Sequence, residues 1–524
     1  MAGESQPASG RGGMTGRIAS VGGLTLLSRL AGFFRDIMLA AVLGAGPLAD
    51  AFFVALRLPN HFRAIFAEGA FNAAFVPAYA RVRQQDGAER AQAFADRIFT
   101  LLLTVQLVLL AAALAFTPAV VALLAPGFAT DPVRLDLAIE LTRITFPYLL
   151  LMTLVTLLGG MLNAINRFAA AAAAPILLNL CMIAALAFAA FFPTAGHAAA
   201  WGVLAAGVLE FLLLAADAKR RGIMVGFRRP LLDADMRKFF RALGPATVGS
   251  AGVQLALFAD TIIASFLSVG ALSALYYADR LNQLPIGVIG IAAGTVLLPE
   301  MARRIAGGDE EGARRAQNRA IELTLLLCAP FVAAFVAVPE LIMRALFSRG
   351  AFTAADAAAA GATLRAYALG LIPFVLIRSM VATFFARGDT ATPVKASLTA
   401  DAVNIACKLM LVGSLAQVGL ALATAIGAWV NIILVGWFAA RAKLISLDRR
   451  LTYAALKLAS AALVLGVALW LGQGPVERLF AGWRLHDELT LLVLALGGAS
   501  VYAAALLAIY RGDWRALIGT ARVD

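Results

Sequence analysis

RIFTLLLTVQLVLLAAALAFTPAVVALL (residues 97–124) opens on an arginine and then runs for 27 residues without another charge. Wound as an α-helix at about 1.5 Å per residue, those residues reach about 40 Å, more than the roughly 30 Å hydrocarbon core of a bilayer. Working outward from it, apolar runs bounded by charges, Pro or Gly recur near 19–43, 49–79, 138–164, 169–191, 198–217, 238–267, 272–301, 318–346, 360–386, 392–413, 416–440, 452–472 and 487–509. Over all 524 residues, 61% are hydrophobic and 14% charged, with a mean hydropathy of +0.85. A soluble chain carries about a quarter charged residues. The reading is an all-α polytopic membrane protein of about fourteen transmembrane helices.

The net charge of +13 is distributed as a topology signal rather than a nucleic-acid patch. Basic residues gather between alternate apolar segments, at Arg81/Arg83/Arg90/Arg97, Lys219/Arg220/Arg221/Arg228/Arg229, Arg303/Arg304/Arg314/Arg315/Arg319 and Arg441/Lys443/Arg449/Arg450. The connections at 44–50, 191–198 and 268–271 carry neither Lys nor Arg. Lys and Arg accumulate on the cytoplasmic side, so both termini are expected there. Cys181, Cys328 and Cys407 lie singly in apolar segments and His61, His197 and His486 are scattered, which leaves no metal-ligand spacing and no disulfide framework. No cofactor and no metal is expected. Residues 1–13 are Gly/Ser-rich with no apolar core, so they do not read as a cleaved signal peptide, and Met14 is an alternative start.

The first twelve segments read as a duplication. Pro77 in AFVPAYAR matches Pro299 in VLLPEMAR (299 − 77 = 222), and Arg97 matches Arg319 (319 − 97 = 222). Pro118 matches Pro339 (339 − 118 = 221), and GFATD at 127–131 resembles GAFTAAD at 350–356. Six spans per repeat is an even number, so the two copies enter the membrane in the same sense, a parallel repeat about the membrane normal. The expected organisation is a flexible N-terminus 1–17, an N-lobe 18–220, a C-lobe 221–445, a further helix pair within 446–511 and a tail 512–524.

The informative residues are the charges inside spans, because each costs roughly 3 kcal/mol or more at the bilayer centre unless it meets water, a cavity or a partner. Span one carries Arg29, Arg35 and Asp36; span two begins at Asp50 and carries Arg57, Arg63 and Glu68; span eight carries Asp279 and Arg280. Asp260, Arg378, Lys395, Asp401 and Lys408 lie in later spans. At about 1.5 Å per residue, Arg29 falls near the midplane and Arg35, Arg63 and Arg280 at intermediate depth. Arginine forks match phosphate oxygens bidentately and stay charged at any working pH, so this cation excess suits a pyrophosphate headgroup. Gly32, Pro59, Pro285 and Gly287 sit among these charges and are candidate hinges.

At these residues the chain resembles the MurJ (MviN) lipid II flippases of the MOP transporter superfamily. The resemblance rests on SRLAGFFRD (28–36), GAGPLADAF (44–52), RLPNHFRAIFAEGAF (57–71) and FVP (75–77), with YYADRL (276–281), LLP (297–299) and TPVK (392–395) in the second half. It implies a V-shaped fold of two six-helix lobes, the last two helices forming a groove for a prenyl tail. It implies a central cationic cavity of Arg29, Arg35, Arg63 and Arg280 with Ser273, supported by the acids Asp50 and Glu68; Asp36 and Asp279 stand beside the arginines as further acids. Gln283 departs from the pattern, standing where some relatives carry an acid.

The expected activity is transport without bond chemistry: lipid II, the undecaprenyl-pyrophosphate-linked disaccharide-pentapeptide, moved from the cytoplasmic to the periplasmic leaflet by alternating access. That makes the chain a component of peptidoglycan and cell-wall biogenesis, hence of cell shape, and not an enzyme. A flippase for another polyprenyl-pyrophosphate polysaccharide of O-antigen type is the near alternative. A drug/cation antiporter calls for a more acidic cavity, and an enzyme on the same lipid for a catalytic group on sizeable outer loops. Expected partners are membrane lipids and the cell-wall synthesis or division machinery, with no nucleic acid; the chain is expected to act as a monomer.

Overall fold

A computed structural model describes residues 11–62, 70–445 and 449–510, all of their regular structure helical. Two compact units divide at Phe266 and Leu267. The first holds α1 (Arg11–Leu43), α2 (Pro47–Phe62), α3 (Ala70–Gln85), α4 (Ala88–Ala115), α5 (Thr117–Leu124), α6 (Pro132–Thr145), α7 (Pro147–Ala164), α8 (Ala169–Ala187), α9 (Ala195–Arg220) and α10 (Ala234–Ser265). The second holds α11 (Ala271–Pro285), α12 (Ile291–Ala306), α13 (Glu310–Ala337), α14 (Pro339–Phe347), α15 (Ala354–Phe385), α16 (Ala391–Arg441), α17 (Arg449–Leu479) and α18 (His486–Ile509). Among the described residues nine helices, with α6 and α7 taken as one run, are long and apolar enough to cross a membrane.

The internal duplication reappears in the helix ends. α4 and α13 are both 28 residues long and offset by 222 at each end (310 − 88 and 337 − 115). Each is followed by a short helix that begins next to a proline, Pro118 or Pro339, and then by a longer one with an acceptor side chain at its N-cap, Asp131 or Thr353. These caps satisfy backbone donors that the first helical turn leaves open. α1 corresponds to α10 (234 − 11 = 223; 265 − 43 = 222) and α2 to α11 (271 − 47 = 224; 285 − 62 = 223).

The second copy of the α8–α9 hairpin is continuous in α16, which turns back at Ala416 (φ 47°), the first residue of the expected segment 416–440. A side chain on Gly419 would come within 2.6 Å of the Leu411 carbonyl oxygen, so only glycine lets the two arms approach there.

Within the first unit α8 packs on α1 and α9, α2 on α6, and α10 on α3. Phe71, Phe75, Phe94 and Phe239 form the aromatic centre of the contact around α3. Within the second unit α15 is the hub against α11, α13 and α16, and the α17–α18 pair lies on α13. Arg344 of α14 reaches Glu477 (2.6 Å) and Asp487 (3.0 Å), and Arg349 reaches Glu488 (2.7 Å), tying one end of that pair to the unit. The most apolar stretches of α4 and α18 are only 17% buried and expose residues such as Val108 and Leu496. Apolar surface on that scale is stable where lipid, not water, surrounds the helix.

Candidate functional site

Span one places Arg35 in a fixed setting. Its Nε and Nη2 donate to Asp36 Oδ1 at 3.1 and 2.7 Å, and its Nη1 donates to Asn179 Oδ1 of α8 at 2.9 Å. Asn179 in turn donates to the Ser28 carbonyl at 2.9 Å. Gly32 lies against the Asn179 amide, where an added Cβ would already be in van der Waals contact at 3.5 Å. Asp36 is buried at 3% exposure, and the pairing lets a carboxylate sit there. Arg29, two turns away, is half-buried and makes no ion pair among the described residues.

Span two is braced at both ends of α2. Asp50 is fully buried, and its cation is Arg134 of α6, with Nη1 3.8 Å away. Arg134 also donates from Nε to Asp131 at 2.7 Å and stacks over the Phe128 ring at 4.8 Å. Asp131 caps α6, and the backbone N–H of Arg134 holds its carboxyl below the usual range. Further along, Pro59 lacks the N–H that would donate to the Ala55 carbonyl one turn earlier. The Thr145 hydroxyl donates to that carbonyl at 2.9 Å instead. The proline is thereby accommodated without an orphaned acceptor. Arg57 donates to Thr261 of α10 at 3.0 Å. Arg63 and Glu68 lie outside the described residues.

In the second unit Ser273 is fully buried in the first turn of α11. The Arg280 guanidinium sits 4.6 Å above the Tyr276 ring, and Asp279 accepts from the Gln283 amide. Gln283 thus contributes a donor to an acid rather than a second negative charge. Pro285 ends α11, and residues Ile286–Gly290, Gly287 among them, form a π-helical turn. Such turns mark places where helix register is interrupted. Gly290 lets the Arg378 stem of α15 cross the turn, its Cδ 3.1 Å from where a Cβ would stand. Lys408, at 1% exposure, shares a stripe of α16 with Asn404 and Asp401.

One residue was not named from the sequence, Arg134, and another, Arg57, was named as an in-span charge but not assigned to the cavity. Arg134 carries no in-span signature because it sits next to a turn. Arg57 does have one: the repeat offset pairs it with Arg280 (280 − 57 = 223) and Asp50 with Ser273 (273 − 50 = 223). The cation therefore recurs in both copies, and the buried acid does not. Among the described residues no three His, Cys, Asp or Glu side chains are grouped to hold a metal ion.

Comparison with known proteins places this geometry in context. The family described as lipid II flippase MurJ matches residues 39–493. A protein of Rhizobium meliloti (strain 1021) named probable lipid II flippase MurJ is 44% identical over 424 residues, covering 80% of this chain and 79% of its own. Among solved structures, lipid II flippase MurJ in an inward closed conformation superposes with a TM-score of 0.79 at 23% identity, covering 94% of this chain and 98% of that one. An inward-facing multidrug resistance MATE transporter of the MOP superfamily gives 0.66 at 16% identity over 80% and 94%. The last two likenesses speak to fold alone.

Proposed function

The chain belongs to the MurJ family of lipid II flippases, and from that premise we propose that it moves lipid II from the cytoplasmic to the periplasmic leaflet of a bacterial inner membrane. The observation that carries this reading is the match of the family over residues 39–493 together with 44% identity to a relative across 80% of the chain. The multi-pass helical fold and the arginines within its spans agree with a lipid-borne diphosphate as cargo. The relatives reported above are named for lipid II, not for an O-antigen-type substrate, and the MATE likeness is one of fold.

In this reading Arg29, Arg35, Arg63 and Arg280 take the pyrophosphate and Ser273 a neighbouring polar group. Asp36, Asp50, Glu68 and Asp279 orient the cations. Gly32, Pro59, Pro285 and Gly287 are where helices bend between inward and outward access. Both termini are cytoplasmic. No bond is made or broken, so the chain is a transporter.

The prenyl tail stays in lipid throughout, because exposing it to water costs about 0.8 kcal/mol per CH₂. α17 and α18 lie outside the duplicated region and offer the tail a groove. In cells depleted of this protein, a leaflet-specific assay of lipid II should find the periplasmic pool falling while the cytoplasmic pool accumulates. An unchanged distribution under complete depletion would remove the proposed activity.

A further inference from the structure

A pocket of about 540 Å³ opens in the first unit where α8 begins and α9 ends. Its wall includes Leu24 of α1, Arg167 and Phe168 of the α7–α8 connection, Leu213 and Arg220 of α9, and Arg221 just past its end. Asp217 lines it too, with one carboxylate oxygen 3.5 Å from Arg221 Nε. Three guanidinium groups against one carboxylate leave a local charge of 3 − 1 = +2. All three arginines are exposed, so their charge is available to a ligand. The volume falls within the range of small-ligand sites, roughly 300–1,000 Å³.

Topology alone would put cations at this end of both repeat copies, but the second copy is built differently. The position of Arg167 is taken there by Asp389 (389 − 167 = 222). Arg387 is committed to Glu310 and to the Thr383 carbonyl and hydroxyl, and Arg441, matching Arg220 (441 − 220 = 221), lies over the Trp437 ring at 5.5 Å. In the first copy the three arginines line one pocket that also has apolar side chains in its wall.

We propose that this pocket binds an anionic phospholipid. Its phosphodiester sits among Arg167, Arg220 and Arg221, and its acyl chain leaves along Leu24, Phe168 and Leu213. Basic pockets between helices at a membrane surface favour anionic headgroups electrostatically, and a planar fork fits phosphate oxygens bidentately. The proposal stands apart from lipid II transport, since none of these residues belongs to the cation set assigned to that cargo.

The test uses the full chain, purified with equal amounts of phosphatidylglycerol and phosphatidylcholine, with retained lipid counted by native mass spectrometry. The protein is expected to retain phosphatidylglycerol about tenfold over phosphatidylcholine. R167Q/R220Q/R221Q should lose that preference. Asp217→Asn, which removes the competing acid, should retain more phosphatidylglycerol than the parent, a gain that misfolding does not imitate. Excess glycerol phosphate should fail to displace the lipid, because it lacks the chain. Equal retention by the triple variant, reduced retention by Asp217→Asn, or displacement by glycerol phosphate would each overturn the assignment.

Discussion

Arg134→Ala is expected to lower the stability of the folded chain by roughly 3–5 kcal/mol, the usual cost of removing one member of a buried ion pair. The reason is Asp50. It is fully buried, and the arginine 3.8 Å away also anchors Asp131 and packs on Phe128. Without Arg134 the buried Asp50 carboxylate loses the guanidinium beside it, which disfavours its charged form. Thermal unfolding of the detergent-purified protein should show a clear drop in midpoint for Arg134→Ala. Asp50→Asn/Arg134→Ala should recover part of the loss, since no buried charge remains. A single variant as stable as the parent would mean that water reaches Asp50 and that the pair does not hold α2 to α6.

Arg35→Ala is expected to abolish complementation of a flippase-depleted strain while protein abundance stays near normal. The guanidinium is held by Asp36 and Asn179, so its orientation is set before any ligand arrives, and preorganised cations lose little entropy on binding an anion. Arg35→Lys should restore growth only in part, because an ammonium is a point charge and does not reproduce the fork. Asn179→Ala, which loosens the same guanidinium without removing its charge, should fall between the two. If Arg35→Ala instead removes the protein from the membrane, the Arg35–Asp36 tie is architectural.

The fold was legible because bilayer spans and their duplication are written in local composition. The 222-residue offset read from Pro77, Arg97 and their partners returns at both ends of α4 and α13. The break between segments eleven and twelve was placed at 413–416 from the apolar runs, and the chain turns there at Ala416.

The site was legible as a set of in-span charges, but their partners were not. Arg134 pairs with Asp50 across 84 residues (134 − 50), Thr145 supports Ala55 across 90, and Arg57 meets Thr261 across 204. None of these pairings leaves a periodicity in the chain, because they are set by which helices pack together. Arg57, listed among the in-span charges, had its equivalence to Arg280 within reach: carrying the repeat offset from Arg280 back into span two lands on it. The same offset shows why the two copies differ, with a buried serine at 273 where the first copy buries Asp50.

The most direct measurement places the purified full chain in vesicles whose two leaflets both contain fluorescent lipid II and adds an impermeant quencher outside. Lipid II transport predicts that quenching proceeds past the outer-leaflet pool into the inner one, and that Arg280→Ala vesicles of equal protein content stop at the outer pool. Quenching that stops at the outer pool with the parent protein, folded and inserted in both orientations, would contradict the account.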